Sequence, residues 1–168
     1  GETLEIHTHA SQFVAHNDCQ NMFSGKNNTY NNFKEIVSID FGDNFNTQNV
    51  TNMSSMFSFC KGLTSLDVSN FNTQNVTNMS SMFNNCVNIT SLDVSKFNTQ
   101  NVTDMSKMFY NFENLTSLDV SKFNTENVSN MKSMFAYCEV LTSLDISSFS
   151  FIATPDITTI FYYTGSNA

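Results

Sequence analysis

The sequence predicts an α/β repeat fold, a capped solenoid with parallel strands on one face and short helices on the other. A 26-residue segment that starts at Phe45 returns at Phe71, Phe97 and Phe123 without a slip in period. Each unit has nine apolar positions, too many to bury inside one unit, so the units must stack on each other. Within a unit the apolar spacing changes from helical to strand-like, which predicts one element of each kind.

The helix is predicted in the first half of each unit. Its apolar residues lie three, three, one and three positions apart, as one face of a helix of two or three turns requires. In the first unit these residues are Val50, Met53, Met56, Phe57 and Cys60. The Thr-Asn pair after Val50 can cap its start. We therefore expect the paired Met columns of the four units to lie in the core.

The strand is predicted in the second half, where Leu63-Thr-Ser-Leu66-Asp-Val68 has the LxxLxL spacing of a leucine-rich repeat. Leu66 and Val68 then point inward, and the residues between them point outward. The fold is thus leucine-rich-repeat-like. The equivalents of Leu66 are expected to be fully buried core residues: Leu92, Leu118 and Leu144.

The repeats are expected to occupy residues 36–150, because a degenerate half-unit at 36–41 precedes the four full ones. Residues 1–35 and 151–168 do not fit the period. They are predicted to form an N-terminal and a C-terminal cap, since end units of a solenoid would otherwise expose their apolar positions.

The charge balance argues against a nucleic-acid partner. The chain has 15 Asp and Glu against 7 basic residues, none of them Arg, and a net charge of −8. Phosphate backbones are held mainly by Lys and Arg, so this surface would repel them. No apolar run approaches the roughly 18 residues that span a bilayer, so no membrane insertion is expected.

The tract FNTQNVTNMSSMFxxCxxLTSLDVSxF resembles the BspA-like leucine-rich repeats of bacterial surface proteins and their mycoplasma-type relatives. The resemblance implies a secreted or cell-surface protein whose repeats serve adhesion or contact with a host. It differs from the common BspA form, which has Ile-Pro where this chain has Val68-Ser69. Because the sequence carries no sorting motif or lipobox, the mode of anchoring stays open.

The expected function is that of a non-enzymatic cell-surface module that binds a protein or glycan of a host or neighbouring cell. Identical exposed columns give wide, multivalent contact, whereas catalysis needs a few unlike groups that converge once. The alternative is a structural spacer or stalk that presents another domain. A spacer would bind nothing, so retention on cell surfaces distinguishes the two.

The expected binding face consists of the outward residues of the predicted strands: Ser65, Asp67, Ser91, Asp93, Ser117, Asp119, Ser143 and Asp145. Strands stack about 4.8 Å apart, so the carboxylates would form a column of like charges. Lys96 and Lys122 can offset part of that repulsion. Bound Ca²⁺ is one further way to offset it, and solvation or hydrogen bonds from nearby Ser and Thr hydroxyls is the other. No other cofactor is expected.

Three of the four cysteines share one position in the repeat, and the remaining unit fills it with Phe112. A position that accepts Cys or Phe is an apolar interior position, so we expect reduced, buried thiols. These are Cys60, Cys86 and Cys138. Cys19 has no counterpart in the repeats, and its state stays open.

The N-terminal segment holds the only cluster of metal-type residues, namely His7, His9, His16, Asp18 and Cys19. On a strand, the alternating pair His7 and His9 would share a face and could reach one Zn²⁺. The chain has no recognisable zinc or nucleophile motif. We therefore expect a solvated strand here, with no metal site.

Overall fold

The computed structural model describes residues 2–5, 13–25, 33, 35–42 and 45–165. These residues contain no helix and only six short strands, which form three two-stranded parallel sheets. The pairs are β1 (Glu2–Glu5) with β3 (Ile36–Asp40), β2 (Phe13–Val14) with β4 (Phe45–Asn46), and β5 (Ser117–Asp119) with β6 (Ser143–Asp145). The predicted leucine-rich-repeat-like solenoid with short helices is therefore wrong.

A ribbon of overlapping turns replaces each predicted helix, and we call these stretches the turn segments: residues 52–60, 78–86, 104–112 and 130–138. In the first, the backbone N–H groups of Met53 and Phe57 donate to carbonyls of the next unit at 2.9 Å. The N–H groups of Met56 and Cys60 instead close turns within the segment, to the carbonyls three positions back at 3.2 Å. The backbone N–H groups of a turn segment thus donate in part to carbonyls of the neighbouring unit and in part to carbonyls of the same segment.

The backbone angles show why a helix does not form. Ser55 and Phe59 have φ values of 56° and 62°, and their equivalents in the other units are also positive. A helix needs negative φ throughout and a bond from every N–H to the carbonyl four positions back. A helix this short is marginal by itself, while the ribbon gives half of its donors to the adjacent unit. In the ribbon, every fourth residue has a left-handed backbone conformation. This brings the same apolar side chains into the core as a helix would.

The units are joined in sequence order by a ladder of isolated parallel bridges. The bridged residues are Asp18, Asn52, Asn78, Asp104, Asn130 and Asp156. The first step, from Asp18 to Asn52, is longer than the later steps, which keep the period of the repeat. The ladder therefore enters both segments that the sequence assigned to caps, although the cap boundaries themselves stay predictions.

Buried threonines form a second set of links between units. The Thr47 hydroxyl donates to the Asn72 carbonyl at 3.0 Å and accepts from the Asn72 N–H at 2.8 Å. Thr73, Thr99 and Thr125 repeat the donor bond at 2.9–3.1 Å. This pairing explains the Thr that all four units have at this position, because a buried hydroxyl needs both partners to offset its desolvation.

Phenylalanine and methionine fill the core along the stacking direction. The rings of Phe57, Phe83, Phe109 and Phe135 stack in succession with centroids 5.7–5.8 Å apart. The prediction that the Met columns are core is confirmed, because their side chains are fully buried: Met53, Met56, Met79, Met82, Met105, Met108, Met131 and Met134. Apolar burial across units, rather than within one, therefore holds the stack together.

The predicted strand of each unit forms only in part. It is present at β5 and β6, but residues 65–67 and 91–93, both within the described ranges, form no strand. Leu66, Leu92 and Leu118 are buried as expected. Leu144 is only half-buried, so the prediction of full burial is wrong there. Among the described strands, β6 pairs only with β5, so Leu144 lies in an edge strand of its sheet.

The two ends of the stack differ in how far their apolar side chains are buried. At the N-terminal end, Phe23 is buried and its ring contacts Phe33 and Phe41. At the C-terminal end, Ile157 and Phe161 are 46% and 44% exposed. Among the residues described, no helix is long and apolar enough to cross a membrane.

Candidate binding surfaces

The predicted binding face is exposed in every unit, and we call it the Ser–Asp face. All eight of its residues are solvent-exposed: Ser65, Asp67, Ser91, Asp93, Ser117, Asp119, Ser143 and Asp145. β5 and β6 place the last four side by side, with Ser117 opposite Ser143 and Asp119 opposite Asp145. The structure thus brings the predicted residues onto one surface, while their binding role stays a prediction.

Each carboxylate of this face closes a local turn. Oδ1 of Asp67 accepts from the Ser69 N–H at 2.9 Å, and Asp93 and Asp119 make the same bond two positions onward. The Ser69 hydroxyl also bonds to Asp67, and these two bonds lower the pKa of that carboxyl. Hydrogen bonds from nearby Ser hydroxyls are one of the alternatives that the sequence leaves open for the Asp column, and Asp67 accepts such a bond. A carboxylate bonded to two donors has a structural role, whatever else it binds.

Neighbouring charges change the pKa values of the Asp column, and the two lysines named from the sequence lower them. Hydrogen bonds from Ser95 lower the pKa of Asp93 most, and the nearby Lys96 lowers it further. Asp119 is affected in the same way by Ser121 and then by Lys122. The neighbouring carboxylate Asp119 acts in the opposite direction on Asp93. No cluster of three or more His, Cys, Asp or Glu side chains suited to a metal occurs in the described part of the chain.

A second surface lies near the end of the turn segments, and we call it the amide–aromatic groove. It is a shallow depression of about 460 Å³ lined by Phe59, Asn84, Asn85, Lys107, Tyr110, Asn111 and Tyr137. All of these except Lys107 are half-buried, so their side chains are held in place yet reach solvent. A depression beside Asp67, at the edge of the Ser–Asp face, is about 430 Å³. Size therefore does not decide between the two surfaces.

Aromatic rings form one wall of the groove and continue beyond it. The Tyr110 and Tyr137 rings are 5.2 Å apart at an interplanar angle of 60°. Tyr163 stacks on Tyr137 at 5.6 Å, and Tyr162 meets Tyr137 edge-on at 5.5 Å. Burial and a hydrogen bond to Tyr137 raise the pKa of Tyr110. The result is a continuous tyrosine stripe along the stacking direction.

Asparagine amides form the floor. Nδ2 of Asn111 donates to Oδ1 of Asn85 at 2.9 Å and to Oε1 of Glu113 at 3.1 Å. Nδ2 of Asn85 in turn donates to Oδ1 of Asn84. Within the described residues, the Asn84 amide N–H₂ and Oδ1 of Asn111 have no hydrogen-bond partner. The chain of amides therefore presents a donor at one end and an acceptor at the other.

The four units differ mainly at two adjacent pairs of positions, and residues of the first pair line this groove. The first pair reads Ser58-Phe59, Asn84-Asn85, Tyr110-Asn111 and Ala136-Tyr137, and the second pair, which does not line the groove, reads Lys61-Gly62, Val87-Asn88, Glu113-Asn114 and Glu139-Val140. In contrast, the Ser and Asp of the Ser–Asp face are the same in all four units. This variation was visible in the sequence and points to this side of the units, although it marks the second pair as well as the groove. The sequence prediction relied instead on the invariant columns.

The expectation of buried, reduced cysteines is confirmed for the repeat position. Cys60, Cys86 and Cys138 are free and buried, and the Sγ of each donates to a backbone carbonyl at 2.9–3.2 Å. Burial raises the pKa of Cys60 to about 12 and that of Cys138 to about 11. Cys19 is also free and buried, and burial raises its pKa to about 11.

The candidate metal cluster is only partly within the described residues. His7 and His9 lie outside them. Nδ1 of His16 accepts from the Asp18 N–H at 3.1 Å, and Oδ1 of Asp18 accepts from the Gln20 N–H at 2.9 Å. His16 and Asp18 therefore close local turns at the start of the ladder.

A family model described as "Mycoplasma protein of unknown function, DUF285" matches residues 17–149 and, a second time, residues 87–167. The chain belongs to this family. The expected relation to mycoplasma-type repeat proteins is confirmed at that level, and the narrower resemblance to BspA-like surface proteins stays a prediction. The DUF285 match begins at residue 17, next to Asp18, the first residue of the bridge ladder. No curated protein and no solved structure matches the chain.

Proposed function

We propose that this DUF285 chain is a non-enzymatic adhesion or host-interaction module of a secreted or cell-surface protein. It binds a protein or glycan of a host or neighbouring cell through its exposed repeat surface. One observation carries this proposal. Units that share most of their sequence differ at two adjacent pairs of positions, and residues of the first pair, such as the half-buried Tyr110-Asn111, line a groove.

Folding alone does not require that difference. Identical units can stack equally well, since the bridges, the Phe stack and the buried Thr links are the same in each. Side chains that vary on a constant framework are typical of recognition surfaces, where each position meets a different part of the ligand. Repetition itself supports binding over catalysis, because a reaction centre needs unlike groups that converge at one point.

A structural spacer is the alternative function. The regular ladder of bridges favours it, because uniform stacking gives a predictable length. A spacer has no reason to place Asn84 in one unit and Tyr110 in the next at the same half-buried position. The difference between units therefore favours binding.

Retention on cell surfaces tests the proposal. The labelled chain is applied to layers of cultured animal cells and to extracellular matrix, beside an unrelated globular protein of similar mass and acidity. Saturable retention that unlabelled chain displaces supports a binding module. Retention no greater than that of the control on every surface would show that the chain is a spacer under these conditions.

A further inference from the structure

We propose that the amide–aromatic groove binds a neutral oligosaccharide. The inference rests on the proposed binding function and names the ligand class and the residues that would hold it. It places recognition on Asn84, Tyr110, Asn111 and Tyr137, and not on the Ser–Asp face.

The rings supply the first part of the argument. Sugar rings have apolar C–H faces that pack on aromatic side chains, and tyrosine offers a large rigid face at low entropic cost. Tyr110 and Tyr137 are held 5.2 Å apart and are half-buried. Tyr162 and Tyr163 extend the stripe and are 48% and 53% exposed. A stripe of this kind suits a chain of several sugar residues.

The amides supply the second part. Each sugar hydroxyl both donates and accepts a hydrogen bond, so neighbouring hydroxyls need donors and acceptors side by side. The amide chain offers the N–H₂ of Asn84 and Oδ1 of Asn111, which have no partner among the residues described. The bond from Asn111 to Asn85 at 2.9 Å fixes the orientation of both side chains before a ligand arrives. Such preorganisation reduces the entropic cost of binding.

Charge and size favour a neutral, small ligand. The charged groups beside the groove balance, since Lys107 lies 5.7 Å above the Tyr110 ring and Glu113 accepts from Asn111 at 3.1 Å. The volume of about 460 Å³ is in the range of small-ligand sites. A protein partner would instead need an extended contact of about 800 Å² per side with buried anchor pockets. The groove offers alternating rings and amides without such a pocket.

The repeat itself supplies matched variants that should fold. Tyr110→Asn places the residue that the second unit has at this position, and Tyr137→Asn does the same at the next position. Asn84→Asp keeps the shape of the side chain while it replaces the free donor by an acceptor. Glu126→Gln is the control, since it removes an exposed charge outside the groove and places the residue that the other three units have at this position. Circular dichroism and the unfolding midpoint confirm the fold of each variant.

The full 168-residue chain and its variants are titrated with chitotriose, lactotetraose and maltotriose as neutral probes, and with sialyllactose as an anionic probe. The chain and its variants are also tested on cell layers treated with periodate, which cleaves vicinal diols, or with protease. We expect a neutral probe to bind and periodate to abolish retention. Tyr110→Asn and Asn84→Asp should each weaken binding at least tenfold, with Glu126→Gln unchanged.

Other outcomes overturn the inference in distinguishable ways. Retention that survives periodate but is lost after protease would show a protein partner. Periodate-sensitive retention that all three groove variants keep would place the glycan elsewhere on the chain, and both results leave the binding function standing. Binding of sialyllactose alone would contradict a neutral ligand. No retention on any surface would refute the groove together with the proposed function.

Discussion

The turn segment and the Ser–Asp face of each unit differ in where their hydrogen bonds go, although both repeat with the same period. On the side of the turn segments, N–H groups such as those of Met79 and Phe83 donate to the next unit at 2.9 and 3.1 Å. On the Ser–Asp face, the bonds of the Asp side chains are mostly local, such as that from the Ser95 N–H to Asp93 at 2.9 Å. The comparison teaches that the turn segments hold the units together and that the Asp column shapes each unit separately.

Loss of a ring from the Phe stack should have the largest effect. Phe109→Ala removes a fully buried ring that stacks on Phe83 and Phe135 at 5.8 Å. We expect the free energy of unfolding to fall by about 3–5 kcal/mol, measured by urea denaturation. Phe161→Ala is the matched control at the exposed end, where its ring is 44% exposed. Phe161 also stacks on Phe135, at 5.8 Å, so an equal loss in both variants would contradict the expected effect of burial within the stack.

Thiol reactivity tests how firmly the turn segments exclude water. Burial raises the pKa of Cys138 from its usual value of 9.0 to about 11. At pH 8 the thiolate fraction should therefore be about 100-fold below that of an ordinary cysteine. We expect iodoacetamide to leave the native cysteines unmodified and to label all four, Cys19 included, in denaturant without reductant.

The denatured sample also decides the redox state. Protection of two cysteines from iodoacetamide in denaturant would contradict free thiols and would show a disulfide. Fast labelling of Cys60 or Cys86 in the native chain would contradict their burial.

A leucine below the Ser–Asp face should matter less than a ring of the stack. Leu118 is 4% exposed and lies in β5, so Leu118→Ala should lower the free energy of unfolding by about 2–3 kcal/mol. Leu144→Ala should cost less, because Leu144 is only half-buried. Both values come from urea denaturation. A larger loss for Leu144 than for Leu118 would contradict the observed difference in burial.

The Asp column should have the smallest effect, and it appears as a dependence on pH. Hydrogen bonds from the Ser two positions onward lower the pKa values of Asp67, Asp93 and Asp119. A lowered pKa means that the folded state favours the carboxylate, so this stabilisation is complete above the unfolded pKa of about 4. It is lost as the pH falls through the lower pKa of the folded state.

We therefore expect the thermal midpoint to fall modestly between pH 5 and pH 2.5. Changing all three residues to Asn should make that fall smaller, as followed by circular dichroism. An unchanged pH profile would mean that the bonds to Ser69 and its equivalents contribute nothing. The same variant tests the predicted binding face, because retention on cells equal to the parent would make the Asp column a scaffold.

Sequence reasoning identified the burial pattern but assigned the wrong backbone to it. Val50, Met53, Phe57 and Cys60 are all buried, as a helix face would have them. The turn ribbon places apolar residues inward at nearly the same spacing, since its left-handed residues recur at every fourth position. Apolar periodicity alone therefore cannot distinguish a helix from this ribbon.

The N-terminal part of the ladder was missed for a different reason. Asn17-Asp18-Cys19-Gln20-Asn21-Met22-Phe23 matches Thr51-Asn52-Met53-Ser54-Ser55-Met56-Phe57 in outline, yet the distance between the two along the chain exceeds the period of the repeat. The later match at Asp156 keeps the period, but Ile replaces Met at both apolar positions. Backbone bonds to the adjacent unit do not require identical side chains, so the ladder extends further than the visible repeat.

The sequence by itself determined the period of the repeat, the Met and Phe core, the buried cysteines and the exposure of the Ser–Asp face. These follow from the pattern of apolar and polar residues, because burial depends on side-chain hydrophobicity. Only the tertiary structure decided where the backbone donors go and which side chains meet in the groove. The N–H of Phe109 donates to the Met134 carbonyl at 3.0 Å, and this choice between a local and a distant acceptor depends on the neighbouring unit being in place.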